Sequence, residues 1–233
     1  MQNLMHHLLW FWGMDLPGIL TGFGIRLLII FLITPIHESA HAWAAYKLGD
    51  GSAKAAGRIT LNPLPHIDLV GALLLLFVGF GWGKPVMVYP QNFRDRKNWR
   101  RGHALVAAAG PASNILAAIA GTLIYRIIIC FPVSYAAFRI ISDGYALFVS
   151  INVTLAVFNL LPIQPLDGSH ILNWLLPEKW ASWIDRNRQL FMIGLIMLVM
   201  MTNVLDIPIF LISSGIMRGI GGAFDWIFGL FGL

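Results

Sequence analysis

Long apolar runs constrain this chain more than any other feature of it. In hydrocarbon every backbone N–H and C=O must be satisfied within its own segment, so a crossing takes about 20 mainly apolar residues wound as a helix. Four stretches near that length predict crossings: one within Pro17 to Lys47, then Ala104 to Phe131, Gly144 to Leu161 and Leu190 to Leu205. Composition agrees, with 58% of the residues hydrophobic and 12% charged, against about 25% charged in soluble domains. The formal charge of +5 does not point to nucleic acid, because the basic residues sit in short loops and not on one solvated face. Cys130 is the sole cysteine, which excludes an internal disulfide and a cysteine metal cluster.

Two further apolar pieces read differently. Leu69 to Trp82 is short for a crossing, and its glycines weaken a helix. Were it to cross, the basic residues before it (Lys47, Lys54, Arg58) and after it (Lys84, Arg94, Arg96, Lys97, Arg100, Arg101) would face opposite compartments. Excess Lys and Arg stay cytoplasmic, so the piece is expected to be re-entrant or a β-hairpin, running on into an extended stretch from Lys84 to Val88. The tail from Ile207 reads as a fifth crossing or an interfacial helix, interrupted by Arg218 and Asp225. The expected fold is an all-α polytopic membrane protein with four transmembrane helices, the re-entrant segment and an additional C-terminal membrane segment. It forms a single membrane-embedded domain over residues 1–233, with a core at about 17–175. Lys179, Arg186 and Arg188 join the cytoplasmic set, while Arg26, Arg126 and Arg139 fall on the other side. The N-terminus is therefore expected outside and the functional end of the first span inside. Residues 1–16 carry no Lys or Arg, which argues against a cleavable signal peptide.

The chemistry begins with His37-Glu38-Ser39-Ala40-His41, the HExxH pattern, toward the end of the first span. Residues i and i+4 share a helix face, which lets two imidazoles reach one zinc ion while the neighbouring glutamate acts on water. With 7 histidines in 233 residues and Glu38 and Glu178 as the glutamates, chance supplies this pattern about 0.002 times. An ionised residue at a helix centre costs roughly 2.5 to 3.5 kcal/mol, so Glu38 in an apolar run demands a partner.

A catalytic zinc takes a third protein ligand and keeps one position open. Asp167, in the run Asn159 to Gly168, is the candidate; the alternative is an Asp-Gly turn that ends a helix. Pro162 and Pro165 predict that this run is unwound, which is tolerated at membrane depth only inside protein or beside a water-filled cavity. Gly110-Pro111-Ala112-Ser113-Asn114 supplies small residues for close helix packing, together with an amide at Asn114 that needs either another helix or a substrate backbone.

These residues together resemble the site-2 protease family of intramembrane zinc metalloproteases. HExxH, Gly110 to Asn114, and N-x-x-P-x-x-P-L-D-G at Asn159 to Gly168 fall in the family's order. Gly57 to Pro63, His66 to Asp68 and Gly81 to Val86 are similar to its compact prokaryotic branch, which has no PDZ or nucleotide-sensing domain. The resemblance implies that His37, His41 and Asp167 bind one Zn²⁺ per chain and that Glu38 is the general base. It implies hydrolysis, by zinc-activated water, of a peptide bond within or beside the transmembrane helix of a membrane-spanning protein substrate, at the cell membrane. Asn159 and Asn114 would hold the substrate backbone or its oxyanion, and an extended substrate would align against Gly83 to Tyr89. Ser169-His170 follow Asp167-Gly168 where relatives often have a second glycine, and His170, like His66 and His103, is expected to cap or pack. His6 and His7 are expected in solvent. A membrane di-metal oxidase would need further paired histidines, and only His37 and His41 have helical spacing. A binding relative without turnover is disfavoured by the presence of Glu38.

Overall fold

The computed structural model describes residues 16–78 and 81–230, so the expectation for His6 and His7 lies outside the described residues. The described chain forms α1 (Leu16–Leu28), α2 (Thr34–Leu48), α3 (Ser52–Ala55), α4 (Leu69–Val78), α5 (Trp99–Ile129), α6 (Tyr135–Asn159), α7 (Asp167–Leu175), α8 (Glu178–Arg186), α9 (Arg188–Met201) and α10 (Asp206–Gly229). No strand occurs among the described residues. Four helices are long and apolar enough to cross a membrane: Gly22–Leu48, α5, α6 and α10.

Helices α1 and α2 are one rod joined by a π turn at Ile29–Ile33. Pro35 explains the turn, since it lacks an N–H and its ring presses on the carbonyl one turn back. A wider turn, closed by Thr34 N–H on the Ile29 carbonyl, relieves that crowding and lets the helix continue. The rod stops at Gly49, whose φ of 114° places it in the left-handed region that favours glycine.

Small side chains decide how closely the rods pack. Ala42 and Ala45 on α2, and Ala104, Ala107 and Gly110 on α5, are buried, so the two backbones approach closely. On its other flank α5 packs on α6, and Val149, Val153 and Val157 meet Ile209, Ile216 and Ile220 of α10 there. Arg126 and Asp225, each near the C-terminal end of its helix, form an ion pair. Helix α10 therefore runs parallel to α5, and the chain between α6 and α10 leaves and returns on the side where α5 begins.

This changes the location of the fourth span. Leu190 to Leu205, expected to cross, supplies the 14-residue α9, about 21 Å long and short of a bilayer. Thr202, with φ −137° and ψ 163°, ends α9 as the polar Thr202-Asn203 pair breaks the apolar run. The tail forms the 24-residue α10 because its charges are absorbed: Arg218 donates to the Ser214 carbonyl and Asp225 pairs with Arg126.

The piece from Leu69 is helical only to Val78, and no β-ladder follows it among the described residues. Gly81 and Trp82 lie back against Gly71 and Leu75, and Lys84 N–H donates to the His66 carbonyl at 2.8 Å. Arg26, read above as a cation of the outer side, is 9% exposed and donates to the Leu76 carbonyl at 2.5 Å, where it caps α4. The helix order yields a test. In a Cys130→Ser background, cysteines at Asn98 and Asn203 should react with a membrane-impermeant thiol reagent from one face, and a cysteine at Ser134 from the other. Labelling of Asn203 together with Ser134 would make α9 a crossing.

Candidate metal centre

Helical spacing puts His37 and His41 on the face of α2 turned to α5, with ring centroids 4.6 Å apart. Their Nε2 atoms are 3.0 Å apart, and Asp167 Oδ2 lies 3.1 Å from His37 Nε2 and 3.4 Å from His41 Nε2. A tetrahedral zinc site with bonds of roughly 2.0–2.1 Å has ligand–ligand edges of about 3.3–3.4 Å, close to what these three atoms span. The donor set also suits zinc, being two imidazoles and a carboxylate. Among the described residues this is the one group of histidine, cysteine or acidic side chains able to hold a metal ion.

Each donor is oriented by the fold. A carbonyl only accepts, so His41 Nδ1 carries the hydrogen shared with the Val106 carbonyl at 2.7 Å, and Nε2 is left with its lone pair. Asp167 opens α7, at the positive end of that helix, after a run of turns from Leu161 to Leu166. Glycines complete the cradle. A Cβ on Gly110 would stand 2.5 Å from His41 Cε1 and 2.6 Å from His37 Cε1, and one on Gly168 would stand 2.5 Å from the Leu161 carbonyl oxygen.

The three donors open on a cavity of about 710 Å³ that Glu38, Asn114 and Asn159 also line. Glu38 Oε2 accepts the Val86 N–H at 3.2 Å. Asn114 is 1% exposed, and neither its oxygen nor its nitrogen has a hydrogen-bond partner among the described residues, so both polar atoms are buried at the cavity wall. Asn159, the last residue of α6, donates to the Leu155 carbonyl at 2.9 Å and keeps its oxygen free of that bond. All six singled-out side chains thus meet at one cavity.

The other described histidines, His66, His103 and His170, line the same cavity outside the three-donor group. His170 lies against His103 with ring centroids 4.3 Å apart. His66 is fully buried and donates from Nε2 to the Thr60 carbonyl at 2.9 Å. Burial lowers its pKa against that hydrogen bond, and the nearby Arg58 charge lowers it further. Sequence reasoning gave Arg58 no part in this centre and counted it among the cytoplasmic loop cations. It is 6% exposed and lies 3.8 Å from Glu38. No spacing rule links residue 58 to residue 38, and the only available signal was its place within the run from Gly57 to Pro63.

Known proteins give the geometry a family. The model of peptidase family M50 matches residues 125–201, a stretch that contains Asn159 and Asp167. YwhC of Bacillus subtilis (strain 168) is 41% identical over 154 residues, which are 64% of this chain and 69% of that protein. Rip2 of Mycolicibacterium smegmatis is 31% identical over 187 residues, 76% of this chain and 68% of the relative. MJ0611 of Methanocaldococcus jannaschii is 30% identical over 166 residues, 68% of this chain and 76% of the relative. All three carry zinc metalloprotease in their names. No solved structure matches the chain. An HExxH helix, an aspartate brought to it from 130 residues away and these relatives agree: the chain belongs to peptidase family M50, the site-2 type of zinc metalloprotease.

Proposed function

We propose that this protein hydrolyses a peptide bond within or beside the transmembrane helix of a membrane-spanning protein. His37, His41 and Asp167 hold one zinc ion, and Glu38 is the general base. The observation that carries this reading is the convergence of three metal donors and a glutamate on one cavity walled by apolar spans. The chemistry that zinc supplies when bound is polarisation of a carbonyl oxygen and acidification of water.

The chain's own residues do the rest. With Oε2 of Glu38 held by Val86 N–H, Oε1 is the oxygen left to take a proton from water and return it to the departing nitrogen. Asn114 presents a buried donor and acceptor that nothing among the described residues satisfies, which suits a substrate carbonyl or its oxyanion. Asn159 lines the same cavity with its amide oxygen available to a peptide N–H. The run from Gly83 to Tyr89 has no regular secondary structure and borders the cavity at Gly83, Pro85, Val86 and Val88, so an extended substrate can align there. Apolar walls keep bulk water from the reacting carbonyl. In this reading the region from α4 to Val88 enters and leaves the bilayer on one side. The centre lies toward the cytoplasm of the cell membrane and the N-terminus lies outside, as the distribution of Lys and Arg indicates.

Zinc content and cleavage, measured on the parent and on substituted chains, test the reading. The parent, in detergent, should hold about one zinc per chain and cut a transmembrane-helix fusion. Glu38→Gln should keep the zinc and cut about 10²–10⁴-fold more slowly; cleavage at the parental rate would remove Glu38 from the mechanism. Asp167→Ala should lose most of the zinc, and unchanged occupancy would take Asp167 out of the ligand set. Gly110→Ala, whose new methyl meets both imidazoles, should weaken zinc binding by on the order of 10- to 100-fold. Gly144→Ala, with nothing within 4 Å of the added carbon, should bind zinc as the parent does.

A further inference from the structure

Arg58 carries a charge into the interior and spends it on one short piece of chain. Its Nη1 donates to the Pro85 carbonyl at 3.1 Å and its Nη2 to the Lys84 carbonyl at 2.5 Å. The same Nη2 stands 3.8 Å from Glu38 Oε2 and 3.5 Å from His66 Nδ1. A planar guanidinium fork can serve two successive carbonyls and a carboxylate from one position, which an ammonium group cannot.

The run that Arg58 grips is held at other points as well. Lys84 N–H reaches the His66 carbonyl at 2.8 Å, Val86 N–H reaches Glu38 Oε2 at 3.2 Å, and Tyr89 N–H reaches Asp50 Oδ2 at 2.7 Å. Asp50 is fully buried and also accepts from Ser52 and Asn92, so the far end of the run is tied to the residue pair that closes α2. Between the ties, the backbone groups of Met87 and Val88 take no hydrogen bond among the described residues, and the Met87 side chain is 62% exposed.

We propose that Arg58 is a positioning residue that fixes the Lys84–Val88 run and the Glu38 carboxylate in a single frame. A peptide aligned on the run is then held in register with the group that serves it. The proposal rests on the proteolytic reading above, and it adds a role for a side chain outside the metal donors and the base. A purely structural arginine would hold the fold without linking these two parts.

Hydrogen–deuterium exchange and steady-state cleavage of a transmembrane-helix fusion, on the full chain in detergent, test this with Arg58→Ala and Arg58→Lys. Zinc content and exchange within α5 and α6 report whether each variant is folded. In Arg58→Ala, exchange across Lys84–Val88 should rise at least tenfold, with zinc retained, kcat at least tenfold lower and KM raised. Arg58→Lys, which keeps the charge and loses the fork, should fall between parent and alanine on all three. It decides the matter where the alanine variant does not fold. Parental exchange across Lys84–Val88 in a folded variant would overturn the proposal, and so would a change in KM alone, which separates the run from the base. A parent that binds zinc and cuts nothing would sink the proteolytic reading by itself. The exchange measurement would still decide whether Arg58 and Glu38 share a frame with the run.

Discussion

Ionisable side chains on a helix in hydrocarbon need protein around them, and the arrangement follows from that need. Two imidazoles and a carboxylate on α2 cannot face lipid tails, where each ionised group costs roughly 2.5 to 3.5 kcal/mol. Glu38 instead meets Val86 and Arg58, and the imidazoles face α5. That helix can come close enough to enclose them because it offers alanines and Gly110 where a larger residue would strike the rings. Asp167 then arrives from the opposite end of the sequence and closes the group, helped by a glycine at 168 that lets α7 start against the Leu160 and Leu161 carbonyls.

The same need shapes the surrounding polar groups. His41 is turned by the Val106 carbonyl, Arg26 is spent on the end of α4, and Arg58 on Lys84 and Pro85. Lys84 and Pro85 lie outside any helix, and Leu76 is in the last turn of α4. The bonds of Arg58 and of Val86 to Glu38 tie the cavity's rim to the helix that carries His37 and His41. Asn114 is the contrasting case, a buried amide without a hydrogen-bond partner among the described residues at the wall of a cavity.

Much of this was legible in the sequence, for identifiable reasons. HExxH has one physical reading on a helix, so His37, Glu38 and His41 followed from periodicity, and two prolines announced the turns before Asp167. Helix number was legible because apolar length is a linear property of sequence. The location of the fourth span was not. Its two candidates differ in what their charges meet, and nothing local says that Asp225 will find Arg126, 99 residues earlier. Arg58 was misread for the same reason. A lone arginine in a loop has the same local signature whether it faces solvent or two buried carbonyls, and only the folded chain brings Lys84 and Pro85 to it. In the segment expected to be re-entrant or a β-hairpin, the first half is helix from Leu69 to Val78, because leucines from Leu73 to Leu76 favour helix and no strand lies among the described residues.

The stretch from Lys84 to Tyr89 is tied at both ends and near its middle although it belongs to no helix or strand. Ordering a backbone residue costs about 1–2 kcal/mol of conformational entropy. For these residues that cost is incurred once, when the chain folds. A free loop would incur it at every encounter. Under the proposed function, an extended segment lying alongside would give up only its own freedom, so the stiffness of one side lowers the total ordering cost of the pairing.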